Sequence, residues 1–322
     1  MTTNKFSFNG GTMKRIQIIT ISLCLVLSIP CRGFCADLKL GVLLIEDAVP
    51  IWLAEQQDLF AANNVDVELV PFLSALERDS AMTAGAIDGA LTDPVGAILL
   101  DKGQGLYKIT SLCLGKTPAE GPFSILAAPD SKLESVEDLK HVEIGVSNAT
   151  IIEYVTDRLL EDQGFSQEEI KKIEVKKMPI RMQMLLSGAI EAATLPEPLA
   201  TIAAGKGARV LISDADSSES LSQTVLLFST SALTEKPTAV RSFFQAYQAA
   251  VLEINKQPES YRSLFVEKGR IPPFLAESYP IPQYPLPAPL SEGLYESVIT
   301  WLTKRNLSPS LEYKDMVAQD FL

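Results

Sequence analysis

The sequence predicts an α/β protein made of two Rossmann-like lobes joined by a two-segment hinge. Three observations lead there: short apolar strands alternate with helical segments along most of the chain, one strand-and-helix unit occurs twice, and two extended segments lie where the chain would pass between lobes.

The elements follow in order. Leu38 to Ile45 is an apolar run of strand length, Pro50 to Ala61 has helical composition, and Val65 to Val70 is a second strand. Ala75 to Ala84 reads as a helix closed by Gly85, Ile87 to Leu91 as a short buried strand, and Pro94 as the first turn of the next helix. Leu106 to Leu114 is another strand. Then come strand Val142 to Val146, helix Ile151 to Gln163 and strand Ile173 to Lys177.

The repeat sets RDSAMTAGAIDGALT (78–92) over RMQMLLSGAIEAATL (181–195), and DPVGAILLDKG (93–103) over EPLATIAAGKG (197–207) after the extra Pro196. Arg78 meets Arg181, Gly85 meets Gly188, Ile87 meets Ile190 and Pro94 meets Pro198, while the acids agree as Asp88/Glu191 and Asp93/Glu197. A duplicated supersecondary unit explains matched spacings of this kind.

FSILAAPDS (123–131) and LSQTVLLFSTS (221–231) are the candidate crossing segments. They divide the chain into a first lobe of residues 37–127 plus 224–322 and a second of 128–223. The first lobe's C-terminal part holds a helix near Lys236 to Asn255, seven prolines between Pro272 and Pro289, and an amphipathic helix near Ser291 to Lys304. Phe274, Tyr279, Ile281 and Tyr284 within the proline stretch predict an extended strap packed on the surface.

Residues 1–36 read as an export signal: Lys14 and Arg15 precede an apolar run from Ile16 to Ile29 and a short stretch ending near Ala36. The run is shorter than a membrane span and is broken by Thr20, Ser22, Ser28 and Pro30. Cys31 and Cys35 sit in poor sequence context for a lipid anchor, so a soluble periplasmic protein is expected. Without the leader, 24 basic residues face 40 acidic ones, a net charge of −16, which argues against a nucleic-acid partner. Cys113 is then the sole cysteine, so no internal disulfide is expected.

The chain resembles the solute-binding proteins of nitrate, sulfonate and taurine importers and their thiamine-pyrimidine-binding relatives. The resemblance rests on GVLLIEDAVPIWLAEQQDLF (41–60), AGAIDGALTDPVGAILL (84–100), GVSNATIIEYVTDRLL (145–160), LSGAIEAATLPEPLAT (186–201) and AVRSFFQAYQAAV (239–251). It implies a type II periplasmic-binding-protein fold, a small ligand between closing lobes, and docking on an inner-membrane ABC permease. The protein is expected to be a monomer.

Ligands of open parallel sheets bind beyond the carboxyl ends of strands. That rule selects Glu46 and Asp47 after the first strand, Trp52 one turn further on, Thr92 and Asp93, then Ser147, Asn148 and Thr150, and Glu197 in the second repeat. The Ser147–Thr150 turn offers helix N-terminal donors to an acceptor, although Thr150 and Glu153 have the spacing of a capping box that satisfies those donors internally. Trp52 is a candidate stacking platform, or a core residue. Four acids around a cleft would repel a bare anion unless several turn away or are neutralised by Arg78 and Arg181, so the set suits a ligand with donor groups, an amine or aminopyrimidine, better than nitrate.

Nothing in the chain assembles a catalytic set. His141 is the sole histidine and precedes a strand, and there is neither a nucleotide-binding glycine loop nor a metal-ligand cluster, so no cofactor and no enzyme are expected. The Asp93 and Glu197 carboxylates are the one enzymatic alternative; a sensor that docks on a membrane receptor is the other non-transport reading.

Overall fold

The computed structural model describes residues 1–6, 36–308 and 311–322; the expected export signal lies largely outside them. The chain divides into two units, residues 1–35 and 36–322. Residues 1–6 are exposed and without regular structure, and the account below concerns the second unit.

Strands β1 (Leu38–Leu43), β2 (Val67–Phe72), β3 (Gly89–Thr92) and β4 (Tyr107–Leu114) belong to a first sheet; β5 (Phe123–Ala127), β6 (Glu143–Val146), β7 (Lys171–Glu174), β8 (Ala192–Pro196) and β9 (Arg209–Ser213) form a second. The chain then returns as β10 (Thr224–Ser229), so that the orders are β2-β1-β3-β10-β4 and β7-β6-β8-β5-β9. In each sheet the first three strands are parallel and the fourth runs antiparallel between its neighbours. β3, β5 and β8 are buried along their whole length, as strands covered by helices on both faces must be.

The two sheets superpose in order as well as in sequence, and the internal repeat is their common part. Its signature residues make the same contacts twice. A Cβ at Gly41 in β1 would meet Ile87 Cδ1 at 2.6 Å and Arg78 Cγ at 3.2 Å; a Cβ at Gly145 in β6 would meet Ile190 Cδ1 at 2.7 Å and Arg181 Cγ at 3.4 Å. Each arginine stem and isoleucine therefore lies flat on a strand that has no side chain there. Helices Ala75–Thr83 and Met178–Leu186 both end at a left-handed glycine, Gly85 at φ 67° and Gly188 at φ 72°. In both, the amide two residues past the C-cap bonds back into the last turn, Ala86 N–H to Ala81 C=O and Ala189 N–H to Met184 C=O.

One sequence boundary differs. The 123–127 segment, assigned to the first lobe as a crossing, is β5 of the second sheet, where it pairs with β8 and β9. FSILA is buried throughout and needs partners on both edges, so the passages fall on residues 115–122 and 214–223. Gly115, at φ 84°, lets them touch: its Cβ would lie 2.8 Å from Gln223 Cα.

The C-terminal part binds the lobes together. Helix Pro237–Lys256 buries Phe243, Phe244 and Tyr247 in the first lobe's core. The proline stretch is the expected strap: Tyr279 and Tyr284 are buried, Asn255 clamps the Tyr284 backbone at 2.7 and 2.9 Å, and Leu112 bridges to Ala288. Helix Glu292–Lys304 packs on helix Pro94–Asp101 and also reaches helix Ile151–Asp162 in the second lobe. There Trp301 donates to the buried carboxylate of Asp157 at 3.1 Å and meets Tyr154 edge-on, while Arg305 pairs with Asp157 at 2.6 Å. One hydrophobic core consequently runs through both lobes, from Val95 and Ile98 to Tyr154, Val155 and Trp301.

Candidate ligand-binding cleft

The parallel strands of both sheets point their carboxyl ends at each other, and the antiparallel strands begin there. The gap is a cleft of about 510 Å³, part of it open to solvent. Leu43 and Ile45 reach it from the end of β1, Thr92 and Asp93 from β3, and Thr224 from the start of β10; Ser147 and Thr150 face them with Phe123, Ile151, Ile152, Met178 and Pro196.

Five expected residues meet here: Asp47, Thr92, Asp93, Ser147 and Thr150. Arg78 joins them from helix Ala75–Thr83. It is 2% exposed, its Nη1 donates to Leu91 C=O at 3.1 Å, and Nε donates to Asp79 at 2.9 Å. Nη2 stands 2.8 Å from the same Asp79 oxygen but lacks hydrogen-bond geometry to it. Asp93 caps helix Pro94–Asp101 by accepting from Gly96 N–H at 2.8 Å. Burial pushes the carboxyl of Asp47 up to about 7 and that of Asp93 to about 6, in each case against the lowering pull of Arg78.

Four cleft atoms are buried without a hydrogen-bond partner among the described residues: Asp47 Oδ1, Arg78 Nη2, Thr92 Oγ1 and Thr224 Oγ1. Buried polar atoms normally find partners, and these four belong to residues that line one hollow. It offers an acceptor beside donors, walled by aliphatic and aromatic side chains.

Four expected residues do not line this cleft. Trp52 belongs to the first lobe's core, its ring beneath Lys268 Nζ at 4.7 Å. Asn148 is exposed. Glu46 and Glu197 are held by the strap instead: Tyr279 Oη lies 2.6 Å from Glu46 Oε2 and 3.0 Å from Glu197 Oε2. Glu197 also accepts from the hydroxyl and N–H of Thr201 at 2.9 and 3.3 Å. The turn satisfies donors internally, though not as the reciprocal capping box: Thr150 accepts from Ile152 N–H at 3.2 Å and Glu153 from Ala149 N–H at 2.7 Å. Arg181 is fully buried, bonded among the described residues from Nη1 to Val175 C=O at 3.1 Å, and burial lowers its guanidinium to about 9.

Among the lining residues that sequence reasoning missed are Lys176, and Thr224 and Phe123, the first residues of β10 and β5. A strand that enters a lobe from the passage must begin at the cleft, and that signal was available once the crossings were placed.

Two facing α/β sheets of this order define the two-lobed periplasmic-binding-protein fold. The alkanesulfonate-binding protein SsuA from Xanthomonas axonopodis pv. citri, bound to MOPS, has a TM-score of 0.75 at 17% identity, covering 88% of this chain and 99% of that one. The periplasmic aliphatic sulphonate binding protein SsuA from Escherichia coli gives 0.72 at 17% identity, with 88% and 98% covered. The desulfurization enzyme DSZB shares the fold at 0.64 and 15% identity, with 88% and 97% covered. The model of the family described as NMT1/THI5 like matches residues 46–261, and the chain belongs to that family. No curated protein matches it.

Proposed function

We propose that the protein is the extracytoplasmic solute-binding component of an ABC importer, taking a small ligand between its lobes by hinge closure and presenting it to a membrane permease. The carrying observation is a set of buried atoms without a hydrogen-bond partner among the described residues, Asp47 Oδ1, Arg78 Nη2, Thr92 Oγ1 and Thr224 Oγ1, on residues that line one interlobe cleft. Family membership, the sulfonate-binding proteins of the same fold and the leader-like N-terminus support transport from the periplasm.

The polar lining selects the ligand. Asp47 and Asp93 share the cleft with Arg78, which Asp79 already engages, and with Lys176, so the charged lining is balanced. A molecule with N–H donors beside an acceptor answers Asp47, Arg78 and the two threonines together. The apolar walls fit a compact ring or short alkyl body.

Thermal-shift screening of refolded, ligand-free protein tests this, using amines, aminopyrimidines, amides, amino acids, sulfonates and nitrate. A true ligand at 100 times its dissociation constant adds about 2.7 kcal/mol of stability. Donor-bearing compounds should shift the melting point, and Asp47→Asn should abolish the shift. Stabilisation by oxyanions alone, unaffected by Asp47→Asn, would reject the ligand chemistry.

A further inference from the structure

Besides the cleft, the lobes meet at a second polar contact that no ligand explains. Tyr279 Oη lies between Glu46 Oε2 of the first lobe and Glu197 Oε2 of the second, at 2.6 and 3.0 Å. A phenol carries one hydrogen and two carboxylates carry none, yet two hydrogen bonds need two hydrogens. With Glu46 and Tyr279 both under 5% exposed, an unsatisfied contact between oxygens there would be costly.

We infer that Glu46, Tyr279 and Glu197 form a proton-holding clasp: one carboxyl is protonated while the lobes are together, and its proton leaves when they part. The surroundings favour this. Asp47 is the adjacent acid, Tyr284 donates to the Glu46 carbonyl at 2.7 Å, and Thr201 supplies the remaining donors to Glu197. The cations on neighbouring elements are directed elsewhere: Arg262 holds the Ala276 and Tyr279 carbonyls and Glu259, Lys268 covers Trp52, and Arg270 lines the adjoining hollow beside Pro198. Burial pushes Glu46 up to about 8, with Glu197 and Asp47 adding to the rise, and raises Glu197 as well.

The clasp rests on the lobe motion of the proposed binding cycle but needs no ligand to be tested. Between the carboxyl's ordinary pKa in the parted protein and its raised value in the joined one, the ratio of parted to joined lobes should rise about tenfold per pH unit, and level off above that. Solution scattering of the ligand-free protein at pH 6 and pH 9 should show the wild type expanding. Glu46→Gln and Glu197→Gln should stay compact at both, because either amide supplies the missing hydrogen; two variants guard against one failing to fold. A wild type of constant dimensions, or equal expansion in all three proteins, would overturn the clasp. Expansion as expected with an empty ligand screen would reject the transport reading and leave the clasp standing.

Discussion

Asp47→Asn separates a carboxylate kept for binding from one kept for stability. Asp47 is 5% exposed, and burial raises its carboxyl from 3.8 to about 7 despite Arg78. An acid raised by folding contributes stability that is complete below its unfolded pKa and lost as pH rises through the folded value. Between pH 5 and pH 7 the unfolded chain is already ionised at this position while the native protein still holds the proton. At about 1.4 kcal/mol per unit, the two units amount to roughly 2.7 kcal/mol, an upper bound since relaxation and water entry lower it. For a chain of this size that corresponds to about 5 °C in melting temperature. Asparagine keeps the shape and carries no charge, so the variant's melting temperature should fall less from pH 5 to pH 8 and should exceed the wild type's at pH 8, while ligand binding is lost. Melting curves at the two pH values decide it. An unchanged pH slope in Asp47→Asn, or a variant less stable than wild type at pH 8, would refute the reasoning.

Three further outcomes follow from the same geometry. Arg78→Met removes the cation beside Asp47 and Asp93 and should cost about 3–5 kcal/mol near pH 8; by urea denaturation the cost should shrink at pH 5, where both raised carboxyls are protonated. Trp52→Phe should lower the melting temperature but leave the ligand-induced shift intact, because Trp52 packs in the core under Lys268; loss of binding would restore it to the cleft. Gly89→Ala puts a Cβ 2.6 Å from the Phe228 ring and 2.9 Å from the Leu227 carbonyl oxygen, on the neighbouring strand β10. Overpacking of that kind should cost about 1–3 kcal/mol in urea midpoint measurements.

The fold was largely legible because it is written in local patterns. Strand-length apolar runs, helix-closing glycines and the repeated arginine, Gly-Ala-Ile-acid and acid-Pro spacings each act over a few residues, and the structure repeats the same turn and strand contacts in both sheets. The misplacement of residues 123–127 has a long-range cause. Whether an extended segment crosses a gap or enters a sheet depends on partners about 70 to 90 residues away in β8 and β9.

The candidate site divided along the same line. Sequence by itself determined which loops face the cleft, since strand ends and helix starts carry Asp47, Thr92, Asp93, Ser147 and Thr150 there. Only the tertiary structure decided which acids remain available. Tyr279 approaches Glu46 across 233 residues of chain and Glu197 across 82, and takes both into a contact between lobes. Arg78 and Arg181 align in sequence, yet one lines the cleft among carboxylates and the other is sealed behind Val175. Burial and hydrogen-bond partners are properties of neighbours in space, and a strap that contributes them from far along the chain leaves no mark beside the residues it changes.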